Sequence, residues 1–227
     1  MLTAIIVAAG SSRRAGFDKL FAPLAGKPVL AHTLASFDIC ECVDAIVIVG
    51  RADRLAEIAE IARVVAPRKV RAIVAGGERR QDSVRRGLDQ VDAVAQFVAV
   101  HDGARPLIRP AEIERVYAAA KKHGAAAAGA PVVDTLKRAD EQLLVIGGVE
   151  RERLFAMQTP QIFARSVLEK ACAHVSAAGL MVTDEVSAAE LTGQKVVVVP
   201  NDQWNLKITH PGDLRIAEFL LSQHRDA

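Results

Sequence analysis

Short apolar runs separated by amphipathic stretches recur almost to the end of this chain, and that alternation restricts its fold more than any other feature. Ile5 to Val7, Ala45 to Gly50, Val70 to Val74, Phe97 to Val100 and Lys195 to Pro200 are rich in β-branched residues. Near-continuous runs of this kind are typical of strands buried on both faces. Between them, Pro28 to Phe37 carries Val29, Leu30, Thr33, Leu34 and Phe37 on one helical face. Arg51 to Val64, Gln81 to Gln90, Pro110 to His123, Arg165 to Ala178 and Pro211 to Gln223 also read as helices. Ala125 to Val133 is a soft, alanine-rich strand, and Thr183-Asp184-Glu185 opens a further helix with Thr183 as its N-cap. The pattern predicts one α/β domain over residues 1–227, a Rossmann-like, three-layer, mostly parallel sheet. Ligands of such sheets sit beyond the carboxyl ends of the strands.

The rhythm breaks between Asp134 and Pro160. Lys137 to Gln142 is polar and turn-like, Leu143 to Ile146 strand-like, and Gly147-Gly148 is expected to turn the chain. Two short strands with no helix between them predict a β-hairpin arm over residues 134–160 that protrudes from the sheet. An isolated hairpin is marginal in water. It either folds back on its own domain or packs on a second subunit, and the apolar Leu143-Leu144-Val145-Ile146 run makes the second option attractive.

The predicted strand ends carry the chemistry. The first strand stops at Ala8-Ala9-Gly10, where small side chains let another group approach the backbone. Arg13, Arg14 and Lys19 follow within nine residues of Gly10. Backbone N–H groups followed by cations make a phosphate cradle. It is neither a dinucleotide fingerprint nor a P-loop: Gly10 and Gly16 do not supply Gly-x-Gly-x-x-Gly, and Gly16 is followed by Phe17-Asp18. After the third strand, Gly76-Gly77 allows close approach of a flat ring, and Ser83 can donate to a nucleobase or ribose. After the fourth, His101-Asp102-Gly103-Ala104-Arg105-Pro106 offers a carboxylate for a ribose hydroxyl, a second substrate or a cation, although Asp102 and Arg105 could equally form a loop ion pair.

Composition excludes several rivals. Formal net charge is only +2, with one Trp and one Tyr, which argues against a nucleic-acid platform. No apolar run approaches membrane-spanning length, and Met1-Leu-Thr-Ala leads straight into a strand, so a soluble, cytoplasmic chain is expected. Cys40, Cys42 and Cys172 read as reduced thiols, and the scattered histidines form no metal cage.

The first loop, Ala-Ala-Gly-x-x-x-Arg then Lys, resembles the signature of sugar-nucleotide pyrophosphorylases and cytidylyltransferases. Further along come Gly-Gly-x-x-Arg-x-x-Ser (76–83), His-Asp-x-Ala-Arg-Pro (101–106), Asp-Thr-x-Lys (134–137), Thr-Pro-Gln (159–161) and Thr-Asp-Glu (183–185). Together they resemble the 2-C-methyl-D-erythritol 4-phosphate cytidylyltransferase family over nearly the whole chain. That resemblance implies a nucleotidyltransferase domain whose arm interlocks two subunits of a homodimer. It implies magnesium-dependent transfer of CMP from CTP to a polyol phosphate, with the metal bound mainly through CTP phosphates and no assigned protein ligand. It places transition-state stabilisation on Arg14, not Arg13, and on Lys19, and positioning of the acceptor phosphate on Arg151 and Lys207. Ala8, Ala9, Gly10, Gly77 and Ser83 fall on nucleotide-contacting positions, with Asp102, Thr135, Thr159 and Thr183 nearby. Asp18, Glu78 and Gly103 depart from the commoner proline, aspartate and alanine. Ribitol-5-phosphate cytidylyltransferase, a nucleotidyltransferase using another base, and a non-catalytic nucleotide-binding protein remain as alternative readings.

Overall fold

The computed structural model describes residues 1–10 and 16–223. Seven strands form the central sheet: β1 (Leu2–Ala8), β4 (Ala45–Gly50), β5 (Val70–Ala75), β6 (Phe97–Asp102), β7 (Ala125–Pro131), β10 (Phe155–Ala164) and β11 (Val197–Pro200). Their spatial order is β11-β7-β10-β6-β1-β4-β5. All neighbours are parallel except β10, which runs antiparallel to both β6 and β7. Two two-residue strands, β2 (Pro23–Leu24) and β3 (Lys27–Pro28), pair in the turn before the first helix.

The layers follow from the two-residue period of a strand. Leu2, Ala4, Ile6 and Ala8 of β1 face one core, whereas Ile5 faces the other. Ile46 and Ile48 of β4 likewise oppose Val47 and Val49. The first core is covered by α1 (Val29–Ile39), α2 (Leu55–Val65) and α4 (Pro110–His123), through Leu30, Leu34, Phe37, Ile58, Ala62, Ile113 and Val116. The second is covered by α3 (Arg80–Leu88), α5 (Arg165–Ala177) and α6 (Glu185–Glu190), through Val84, Leu88, Leu168, Ala171, Val175 and Ala188. Each large apolar side chain so buried stabilises the fold by about 1.5–3 kcal/mol. The closing helix α7 (Pro211–Ser222) sets Ala217 against a smaller cluster with Leu24, Val29, Leu107 and Ile208.

Three sequence expectations need correction. The Thr-Pro-Gln segment belongs to β10, a long central strand; its proline is accommodated by an irregularity in register between Met157 and Gln161. In the arm, Lys137 and Arg138 lie in β8 (Leu136–Ala139), while Gly147 and Gly148 lie opposite them in β9 (Val145–Val149). The reversal falls at Asp140–Leu144, because the Asp140 carboxylate accepts from the backbone N–H groups of Gln142 (3.0 Å) and Leu144 (2.9 Å). Helix α6 is capped by Asp184, not Thr183: the Asp184 carboxylate accepts from Ser187 N at 3.0 Å.

The arm is thus a two-stranded hairpin separate from the main sheet. Leu143, Leu144, Val145 and Ile146 are 85, 61, 66 and 65 % exposed. Among the described residues no helix is long and apolar enough to cross a membrane. All three cysteines are free thiols.

Candidate active site

At the carboxyl edge of the sheet the loops after β1 and β5 are pressed together. A Cβ on Gly76 would lie 2.3 Å from Cβ of Ala9 and 2.8 Å from Oγ of Ser83, so only glycine fits. A Cβ on Gly77 would lie 2.4 Å from Cβ of Asp82. The buried Ser83 hydroxyl accepts from Gly77 N (3.1 Å) and donates to Arg79 O (3.2 Å). These bonds hold the glycine loop in shape and fix the Ser83 hydroxyl beside it. Ala8 is buried at the end of β1, and Gly10 is exposed just beyond it.

Lys19 lies in the turn after that loop, half-buried. Asp18, the departure beside it, is held by Arg51 at 3.0 Å and Arg54 at 3.6 Å. Arg14 lies outside the described residues, as does Arg13.

The pocket proper opens beside the end of β6 and the middle of β10, with a volume of about 260 Å³. Arg80, Asp102, Arg105, Met157, Gln158, Thr159, Gln161, Thr183, Asp184 and Lys207 line it. Asp102 forms its floor. Its Oδ2 accepts from Lys207 Nζ at 2.7 Å, and its Oδ1 faces Arg80 Nε and Nη2, both at 3.3 Å. Arg105 Nε stands 3.9 Å from Oδ2. Burial would raise the Asp102 carboxyl, but Arg80, Lys207 and Arg105 outweigh it and hold the group well below the usual carboxylate range. Asp102 is ionised at every working pH.

Behind Arg80, on α6, lies Glu185, 3 % exposed. Arg80 Nη1 donates to both of its oxygens, at 2.6 and 2.8 Å. Burial pushes the Glu185 carboxyl up, and Arg80 only partly offsets this. The two acids shift oppositely because Asp102 faces three cations while Glu185 has Arg80 alone as its salt-bridge partner among the described residues.

The walls are built by amides and hydroxyls. Thr159 Oγ1 accepts from Asp102 N at 3.1 Å and contacts His101 Nδ1 at 3.1 Å. Burial drives the His101 imidazole down to about 3, so it is neutral and structural. Gln161 Oε1 accepts from Glu185 N and Val186 N, both at 3.1 Å, while its Nε2 donates to Asp184 at 2.9 Å. The Thr-Pro-Gln and Thr-Asp-Glu motifs are thus bonded to each other. Asn205 donates to Thr159 O (2.7 Å), and Arg105 Nη1 donates to Asn205 O (2.7 Å), which ties the approach to Lys207 onto the floor. Among the described residues, Arg105 Nε has no hydrogen-bond partner despite its burial.

Of the residues singled out in the sequence, the structure gathers Asp102, Thr159, Thr183 and Lys207 around one cavity. Thr135 and Arg151 lie apart, exposed at the base of the arm, where Arg151 Nη1 donates to Val133 O. Arg80 and Glu185 received no role from sequence reasoning. Arg80 stood inside the Gly-Gly-x-x-Arg-x-x-Ser motif, but its partner is 105 residues away.

A mostly parallel sheet whose carboxyl edge joins small-residue loops to a cation-lined pocket defines an α/β nucleotide-binding protein. Residues 2–223 match the model of the IspD family, 2-C-methyl-D-erythritol 4-phosphate cytidylyltransferase, and the chain belongs to that family. It is 43 % identical over 223 residues to the 2-C-methyl-D-erythritol 4-phosphate cytidylyltransferase of Dehalococcoides mccartyi strain CBDB1, covering 98 % of this chain and 96 % of the relative. The enzyme of that name from Alkaliphilus metalliredigens is 36 % identical, covering 99 and 95 %. Among solved structures, the 4-diphosphocytidyl-2C-methyl-D-erythritol synthase of Anaerococcus prevotii superimposes with a TM-score of 0.86 at 28 % identity, covering 98 % of both chains. The 2-C-methyl-D-erythritol 4-phosphate cytidylyltransferase of Thermus thermophilus gives 0.78 at 30 % identity, covering 97 and 98 %.

Proposed function

We propose that this chain transfers CMP from CTP to 2-C-methyl-D-erythritol 4-phosphate, releasing pyrophosphate and forming 4-diphosphocytidyl-2-C-methyl-D-erythritol in non-mevalonate isoprenoid biosynthesis. The observation that carries the reading is the pocket at the carboxyl edge. There an ionised Asp102 is ringed by Arg80, Arg105 and Lys207, next to the packed glycine loops of β1 and β5.

A phosphate oxygen of the acceptor attacks the α-phosphorus in line, and the bond to pyrophosphate breaks on the opposite side. The nucleophile is already anionic, so no base is required; the barrier is bringing anions together. Lys19 and Arg14 neutralise the charge that grows on the triphosphate. Lys207 turns from Asp102 toward the acceptor phosphate, and Arg151 holds the same group from the arm. This orientation supplies several kcal/mol. Asp102 is left to accept from an acceptor hydroxyl.

Among the described residues no three His, Cys, Asp or Glu side chains gather into a metal site. In the free protein the oxygens of Asp102 face Arg80 and Lys207. This donor set supports a magnesium ion brought mainly on the CTP phosphates. When bound there, it supplies further positive charge to the leaving pyrophosphate.

The exposed run Leu143–Ile146 supports a homodimer, since contiguous apolar surface of this kind marks an interface. Arg151, remote from the pocket of its own chain, would then complete the partner's site. The deciding assay is pyrophosphate release from CTP with 2-C-methyl-D-erythritol 4-phosphate or ribitol 5-phosphate as acceptor, with and without magnesium. Release with neither acceptor, or with ribitol 5-phosphate alone, overturns the assignment.

A further inference from the structure

A site that must collect phosphates keeps two buried carboxylates on one arginine, an arrangement that lowers its positive charge and incurs desolvation. Simple charge attraction does not account for it; geometry does. The Arg80 guanidinium is a planar fork with donors on both edges. One edge, Nη1, grips both oxygens of Glu185 at 2.6 and 2.8 Å, and Nε and Nη2 face Oδ1 of Asp102 at 3.3 Å. The shorter bonds make Glu185 the anchor. Glu185 is itself fixed by its backbone N–H on Gln161, and it does not line the pocket. Asp102 then divides its oxygens, Oδ1 to Arg80 and Oδ2 to Lys207 at 2.7 Å.

We propose that Arg80 is a positioning residue for the transfer reaction: anchored by Glu185, it fixes the rotation of the Asp102 carboxylate, so that Oδ2 alone is turned to Lys207 and the acceptor. The proposal rests on the reaction proposed above but makes its own demand on the free protein. Removing Glu185's charge should damage acceptor use even though Glu185 touches neither substrate nor pocket.

The charged and titratable groups around Asp102 are Arg80 from α3, Arg105 from the loop after β6, Lys207 from the segment before α7, and Glu185 and Asp184 across the pocket wall; neutral His101 adjoins it on β6. The test compares Arg80→Gln, Arg80→Lys and Glu185→Gln by carboxyl-carbon NMR titration of Asp102 and by steady-state kinetics with varied acceptor. In folded Arg80→Gln, Asp102 titrates about one pH unit higher or more, and kcat/KM for the acceptor falls. Arg80→Lys keeps Asp102 at low pH but, lacking the fork, leaves acceptor kcat/KM about tenfold down. Glu185→Gln does not raise the Asp102 titration, yet lowers acceptor kcat/KM by about tenfold. A purely structural Arg80 would also raise the Asp102 titration in Arg80→Gln, since the lost charge acts in either case, but it predicts lowered melting temperature in each variant with acceptor kinetics normal per folded molecule. An unmoved Asp102 in Arg80→Gln, or normal acceptor kinetics in Glu185→Gln, overturns the proposal, and the second result decides even if Arg80→Gln does not fold. The NMR arm needs no turnover. An upward shift in a protein that transfers no CMP would retain the Arg80–Asp102 geometry and reject the reaction.

Discussion

The pocket floor and the arm are opposites in construction. Asp102, Thr159, Glu185 and Asn205 are each at most 8 % exposed, and their side chains bond to elements far away in sequence. The arm, from Leu136 to Val149, is held by its own ladder and by the Asp140 turn, with four consecutive apolar side chains in solvent. The floor is tied together within a single chain, whereas the arm leaves its apolar run uncovered. The floor can therefore be preorganised before any ligand arrives, and under the homodimer proposed above the contribution of Arg151 waits on assembly.

The largest effect should come from the triphosphate side. Lys19→Ala and Arg14→Ala should each lower kcat by on the order of a hundredfold or more while weakening CTP binding much less. Near-normal turnover in both would remove the cradle from the mechanism. Arg13→Ala should be mild, and a severe loss there would mean that the register of the loop is off by one.

The comparison itself is broken or upheld by complementation. Arg151→Ala and Lys19→Ala proteins, each inactive, should regain activity when mixed and allowed to exchange subunits. If Arg151 acts across the interface, one site of each mixed dimer carries both defects and the other carries none. Activity should return to about a quarter of wild type, since half the dimers are mixed and half their sites intact. A mixture that stays dead after exchange is verified would place Arg151 in its own chain's site.

Lys207→Ala isolates the floor. Acceptor kcat/KM should fall by on the order of tenfold to a hundredfold, while calorimetry with CTP alone reads near-normal affinity. A large loss of CTP affinity would move this lysine onto the nucleotide.

A further effect concerns stability alone and leaves the chemistry untouched. Buried His101 is neutral, with its imidazole held down to about 3 against the ordinary 6.5. The folded protein therefore binds fewer protons than the unfolded chain between those values. Stability from this group is full above about pH 6.5 and lost as pH falls toward 3, by on the order of a few kcal/mol. His101→Gln should flatten that part of a denaturation-versus-pH curve; an unchanged slope would assign acid sensitivity elsewhere.

How much could be read from the chain beforehand follows the range of the forces involved. Ile5 to Val7, Ala45 to Gly50 and the Pro110 to His123 helix were legible because periodicity is local. Asp102 was legible as a motif member and Lys207 through the family resemblance, and the structure brings them to 2.7 Å. The β10 strand was hidden by Pro160, which reads as a break unless the bulge that accommodates it is known. Glycines mark turns, so Gly147-Gly148 reads as the hairpin reversal, but the Asp140 side chain supplies the hydrogen bonds that reverse the chain. Arg80 and Glu185 are joined across 105 residues, a pairing no window of sequence contains.

The bonds made by Gln161 have a kinetic consequence. Helix α6 has six residues, too few to persist alone in water. Its first two backbone N–H groups end on Gln161, and its leading carboxylate on Arg80. The Thr183–Asp184 wall of the pocket is therefore ordered on loan from β10 and α3, and it should be the first part of the site to open by local unfolding. Amide hydrogen exchange at Val186 and Ser187 should run well ahead of that at Ile5 and Val100, and equal protection would show that α6 shares the stability of the sheet.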